Sequence, residues 1–80
     1  MTREMAYERL AIVFRKVFDD EDLVIEDNTT ANDIDDWDSF EHINLVCAIE
    51  DEFSFKMPME TVVNLKNVGE MVGVILELGK

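Results

Sequence analysis

From Arg3 to Phe18, apolar side chains recur at helical spacing: Ala6, Leu10, Val13, Phe14 and Val17 share one side, while Glu4, Glu8, Arg15 and Lys16 lie largely elsewhere. The spacing predicts a half-buried helix, with Thr2 as its cap. The pattern then breaks. Asp19 to Asp38 holds ten acids in twenty residues, and Asn28-Thr29-Thr30 and Asn32-Asp33 supply turn chemistry. Leu23, Val24, Ile25 and Ile34 are expected to plug this long connection onto the helices.

Helical spacing resumes from Ser39 to Phe53, now with two apolar stripes at about 100° per residue. Leu45, Val46, Ile49 and Phe53 form the broader one and are expected in the core. Phe40, Ile43 and Cys47 form a narrower one, flanked by Asn44, Glu50 and Asp51. Pattern alone leaves two readings of that second stripe: more core, or a surface that meets a partner with the acids as its rim. Ser54 to Met57 turns the chain, and Pro58 suits the first position of a short helix over Met59 to Leu65. Asn67 with Glu70 makes a capping box for a last helix to about Leu78, with Val68, Met71, Val72, Ile75, Leu76 and Leu78 as its apolar surface. Gly73 inside it costs about 1 kcal/mol relative to alanine, which suggests a close helix contact there. The expected architecture is all-α: a small four-helix bundle of three main helices and one short helix, with a long acidic loop after the first helix, in one domain over residues 1–80.

Charge narrows the choice of partner. The 80 residues are 48% apolar, too many for a disordered acidic tail despite a net charge of −12. Between Val17 and Phe55 there is no Lys or Arg, yet fourteen of the nineteen acids lie there. Such a surface repels nucleic acid and anionic membrane and favours partners with basic patches, although acidity can also serve solubility alone. One cysteine, Cys47, excludes an internal disulfide and fits a reducing compartment. With no signal-peptide pattern and no apolar run of membrane-spanning length, a cytoplasmic monomer is expected.

The acids do not form a calcium loop of the EF-hand kind. From Asp33 the sixth position, where glycine is needed, is Asp38, and the twelfth is Asn44; from Asp19 the sixth is Val24. His42 is the only histidine and lacks the further ligands that zinc requires, so no metal site is expected. Cys47 has no neighbouring base in sequence to make it a thiolate. His42 is expected on a helix face near Trp37, and Trp37 is expected to pack under the helix start. Nothing here assembles into an enzyme.

Asp38-Ser39-Phe40-Glu41 is the remaining feature with chemistry. Asp38 and Glu41 form a capping-box pattern, so Asp38 is the expected N-cap and Ser39 the first helical residue. A hydroxyl there is exposed beside free backbone N–H groups, where helix starts hold anions. With no base next to it in sequence, Ser39 reads as an attachment point for a phosphate ester rather than a nucleophile; the plain alternative is a solvent-facing serine.

Asp38-Ser39-Phe40 resembles the Asp-Ser-Leu signature of acyl carrier proteins, whose serine carries 4′-phosphopantetheine. Ile43, Leu45-Val46, Ala48-Ile49-Glu50, Glu52-Phe53, Pro58 and Asn67-Val68-Gly69-Glu70-Met71-Val72 resemble the family too, over nearly the whole chain. The resemblance implies Ser39 as the attachment site flanked by the Asp38 cap. It implies Phe40, Ile43, Asn44, Cys47, Glu50 and Asp51 as partner-docking positions on the second helix. It implies a phosphopantetheinyl transferase as one partner, drawing on coenzyme A. The others would be acyl-transferring and acyl-modifying enzymes with basic patches, in fatty-acid, polyketide or other specialised acyl biosynthesis. Phe40 departs from the usual leucine, Asp36 stands where glycine is common, and Met59 where an acid is frequent. Trp37 before Asp38 is similar to a subset of discrete carriers. The alternatives are a peptidyl or aminoacyl carrier, and an acidic helical adaptor whose Ser39 is never modified.

Overall fold

The first helix, α1, spans Arg3–Val17, and Thr2 Oγ1 accepts from Met5 N at 3.2 Å, the expected cap. Ala6, Leu10, Val13 and Phe14 are buried as the spacing requires. Val17 is only half-buried; Phe18, at the C-cap, takes the inward position instead. The computed structural model describes residues 1–79.

Ile25, Ile34 and Trp37 anchor the acidic connection to the core, but Val24 is 70% exposed. Consecutive side chains of a non-helical stretch cannot all face one side, so of Leu23-Val24-Ile25 only the outer two reach the bundle. A single 3₁₀ turn, Ala31–Asp33, interrupts the connection. Thr30 Oγ1 accepts from Asn32 N at 3.3 Å, and Thr30 N donates to Asp33 Oδ2 at 2.9 Å. Asp27 fixes the segment in three directions: Arg3 Nη2 meets its carboxylate at 2.7 Å, the Tyr7 hydroxyl donates to the same oxygen, and Gly69 N donates to its carbonyl at 2.9 Å. Arg15 Nε adds a bond to Leu23 O at 2.9 Å.

The second helix, α2, spans Ser39–Phe53, with Leu45, Val46, Ile49 and Phe53 buried. It packs on α1, and Arg9 joins the two: its Nε meets Glu52 Oε2 at 2.8 Å and its guanidinium lies 4.5 Å from the Phe53 ring centre. Ser54 ends α2 in the left-handed region at φ 57°.

A short helix, α3, spans Met59–Asn64, one residue less than expected, with Pro58 as its N-cap rather than its first residue. The last helix, α4, spans Val68–Leu78 and packs against α1. Asn67 Oδ1 accepts from Glu70 N at 2.9 Å, but Glu70 Oε1 turns back to Lys66 N at 3.3 Å, so the box closes one residue early. Val68, Met71, Val72 and Ile75 are buried; Leu76 and Leu78 sit at the margin, about two-fifths exposed. Gly73 makes no close contact, contrary to expectation: a Cβ built there meets nothing within 4 Å. The tight position is Gly69, where a Cβ would lie 3.0 Å from Asp27 O. The helices thus form a four-helix bundle without strands among the described residues.

Candidate functional site

Ser39 is exposed at the first residue of α2, and Asp38 Oδ1 accepts from Glu41 N at 2.9 Å. The reciprocal half of that capping box is not made. Asp38 N donates to Asp36 O at 3.1 Å, and Glu41 Oε1 accepts from Asn44 Nδ2 at 2.8 Å. Beside Ser39 a groove of about 430 Å³ runs between α2 and α3, lined by Trp37, His42, Ile43, Val62, Val63 and Lys66 among others. Its wall is largely apolar, and Lys66 is the lysine among its lining residues.

His42 and Trp37 hold this end of the molecule together. Trp37 Nε1 donates to His42 Nδ1 at 3.0 Å, and the two rings stack with centres 5.9 Å apart at 18°. An indole N–H can only donate, so Nδ1 is the bare nitrogen and Nε2 carries the proton. That proton faces Val62 O of α3 at 3.1 Å. Trp37 is in turn set edge-on against Phe14 of α1, with ring centres 5.4 Å apart. Proximity of His42 to Trp37 was expected; the reach to Val62, twenty residues away, carries no local signal in the sequence.

The structure separates the two stripes of α2. Phe40 is 74% and Ile43 48% exposed, and the Cys47 thiol is free and exposed. Asn44 and Asp51 are exposed on the same side. Glu50 differs from them: it is half-buried, and its Oε2 accepts from Met57 N at 2.6 Å, tying the chain after α2 to the helix. Two exposed apolar residues of α3, Met59 at 67% and Val63 at 69%, extend the apolar surface, and Val63 lines the groove with Ile43. Sequence reasoning assigned neither a role, because a six-residue helix has too few turns to show a face by its spacing.

No family model and no curated protein sequence matches the chain. A solved structure does. The solution NMR structure of the holo acyl carrier protein from Geobacter metallireducens superimposes with a TM-score of 0.84 and 38% identity, covering 90% of this chain and 83% of that one. The chain belongs to the acyl carrier protein family. Membership makes it a carrier rather than an enzyme. A carrier works by offering an attachment point and a surface for other enzymes to read, and the acyl chemistry belongs to the attached group and to them. No group of three or more His, Cys, Asp or Glu residues among those described is placed to hold a metal ion, and no described helix is long and apolar enough to cross a membrane.

Proposed function

We propose that this carrier bears 4′-phosphopantetheine on Ser39 and presents acyl groups, as thioesters of that arm, to enzymes of fatty-acid, polyketide or other specialised acyl biosynthesis. The observation that carries the reading is the exposed Ser39 hydroxyl at the start of α2, in a chain of this family. The residues present fit the group. Ser39 offers the oxygen for a phosphodiester, and the free N–H groups of the first turn of α2 favour its negative charge. Lys66, which lines the same groove, brings a cationic side chain to that part of the surface. When attached, the arm supplies the thiol on which acyl groups are held; the chain holds it, orients it and surrounds its root with apolar wall.

Phe40, Ile43, Asn44, Cys47 and Asp51 form the docking face in this reading, with Glu50 bracing it from beneath. The exposed apolar side chains anchor a partner, and the acids steer one with a basic patch. The test of the attachment is direct. Incubation with coenzyme A, magnesium and a broad-specificity phosphopantetheinyl transferase adds one phosphopantetheinyl group, seen by mass spectrometry. Ser39→Ala folds and stays unmodified. Modification of the alanine variant moves the site elsewhere and ends the proposal for Ser39.

A further inference from the structure

We propose that His42 is a positioning residue for the carried group: it holds α3 against α2 and so sets how far the groove beside Ser39 shelters that group from water. The inference rests on the reading that Ser39 carries an acyl-bearing arm. Its starting point is how little else fixes α3. The helix is six residues long, its N-cap Pro58 makes no side-chain capping bond, and Val62 is its one buried side chain. Among the described residues, His42 Nε2 to Val62 O is the hydrogen bond that joins α3 to another helix. Val62 O lies in the last turn of α3 and accepts only a long bond from the C-cap, Leu65 N, at 3.4 Å. The imidazole adds a shorter one, at 3.1 Å, from outside the helix.

The clasp has a fixed end. Phe14 and Trp37 belong to the core, and Trp37 Nε1 orients the imidazole by donating to Nδ1 at 3.0 Å. The chain Phe14, Trp37, His42, Val62 therefore refers the position of α3 to the first helix rather than to its own few contacts. His42, Val62, Val63 and Ser39 all line the one groove, so releasing the clasp widens the wall directly beside the attachment point.

The two ring nitrogens do different work, and two substitutions separate them. His42→Asn places an amide oxygen near Nδ1, able to accept from Trp37 but too short to reach Val62 O. His42→Gln reaches the position of Nε2 and donates to Val62 O. The experiment loads each protein with the arm, confirms loading by mass spectrometry, and measures thioester cleavage by hydroxylamine with acetyl and with octanoyl as the carried group. In His42→Asn, octanoyl cleavage is expected to speed up about fivefold, the population change equivalent to one net hydrogen bond of about 1 kcal/mol. His42→Gln restores the slow rate. Acetyl, too short to use the groove, is cleaved alike in all three. The amide protons of α3 exchange faster in the asparagine variant, while the Trp37 indole N–H, still bonded to the amide oxygen, keeps its protection from exchange. Loading with equal octanoyl rates overturns the role of His42 and leaves the carrier reading intact. Equal acceleration of acetyl and octanoyl overturns it too, because that is general loosening, as does failure of glutamine to rescue. Absence of loading on the wild-type chain overturns the carrier reading, and this inference falls with it.

Discussion

Two glycines on α4 are expected to respond to alanine in opposite ways. At Gly73 the backbone is helical, its φ is negative, and a methyl group meets nothing within 4 Å. Alanine there recovers the helix propensity, about 1 kcal/mol. That raises the melting temperature by about 4–8 °C for a domain of this size. At Gly69 the same methyl lies 3.0 Å from Asp27 O and 3.3 Å from Asp27 Cβ. Asp27 has little freedom to retreat, because Arg3 and Tyr7 grip its carboxylate and Gly69 N already bonds its carbonyl at 2.9 Å. Relief must come from lengthening that bond and shifting the loop, an overpacking cost of about 1–3 kcal/mol against a propensity gain that is small in the first turn. Urea unfolding followed by circular dichroism gives both values, provided the m-value is unchanged. Stabilisation by Gly69→Ala equal to that by Gly73→Ala would refute the close approach of loop and α4.

Ile49→Ala and Phe53→Ala, at fully buried positions, cost about 2–5 kcal/mol, whereas half-exposed Ile43→Ala costs about 1 kcal/mol or less and slows transfer to partner enzymes. Equal unfolding losses for Ile43 and Ile49 would make the second stripe core and remove it from the docking face. Glu50→Lys leaves Met57 N without its acceptor and lowers stability by about 1–3 kcal/mol, while Asp51→Lys changes docking rates with little effect on melting. Melting curves for the two variants check this, and identical curves would deny Glu50 its bracing role. Fourteen acids without an intervening base repel one another in the folded state, and the ion pairs of Arg3 and Arg9 are too exposed to offset this. Sodium chloride raises the melting temperature, and millimolar calcium or magnesium raises it further at matched ionic strength; a flat response to both shows the acids are harmlessly spaced.

The parts of this molecule written in short-range chemistry were legible from the sequence. Thr2, Asp38 and Asn67 cap their helices because an oxygen three residues before a free N–H is a local arrangement. Leu45, Val46, Ile49 and Phe53 lie inward because helical spacing puts them on one side. The second stripe was visible but undecided until exposure separated it from the first. What depends on distant packing was not legible. The crowding at Gly69 and its absence at Gly73 depend chiefly on Asp27, which is remote in sequence and passes near the first alone. Glu50 and Asp51 are adjacent acids, and only the fold turns the first toward Met57 N. The reach of His42 to Val62 belongs to the same class, since it exists only once α3 has come back across α2.

Trp37 is the single tryptophan of the chain, and it stands two residues before Ser39. It is 7% exposed, faces one imidazole and packs against two phenyl rings, those of Phe14 and Phe18. The carrier is thereby equipped with its own fluorophore at the place where a group would be attached. Indole emission reports on the solvent and dipoles around the ring, so light excited beyond the absorption of Tyr7 comes from the junction of α1, α2 and α3. Attachment at Ser39, filling of the groove or departure of α3 can each be followed on an unlabelled chain, at the concentrations where partner enzymes turn over.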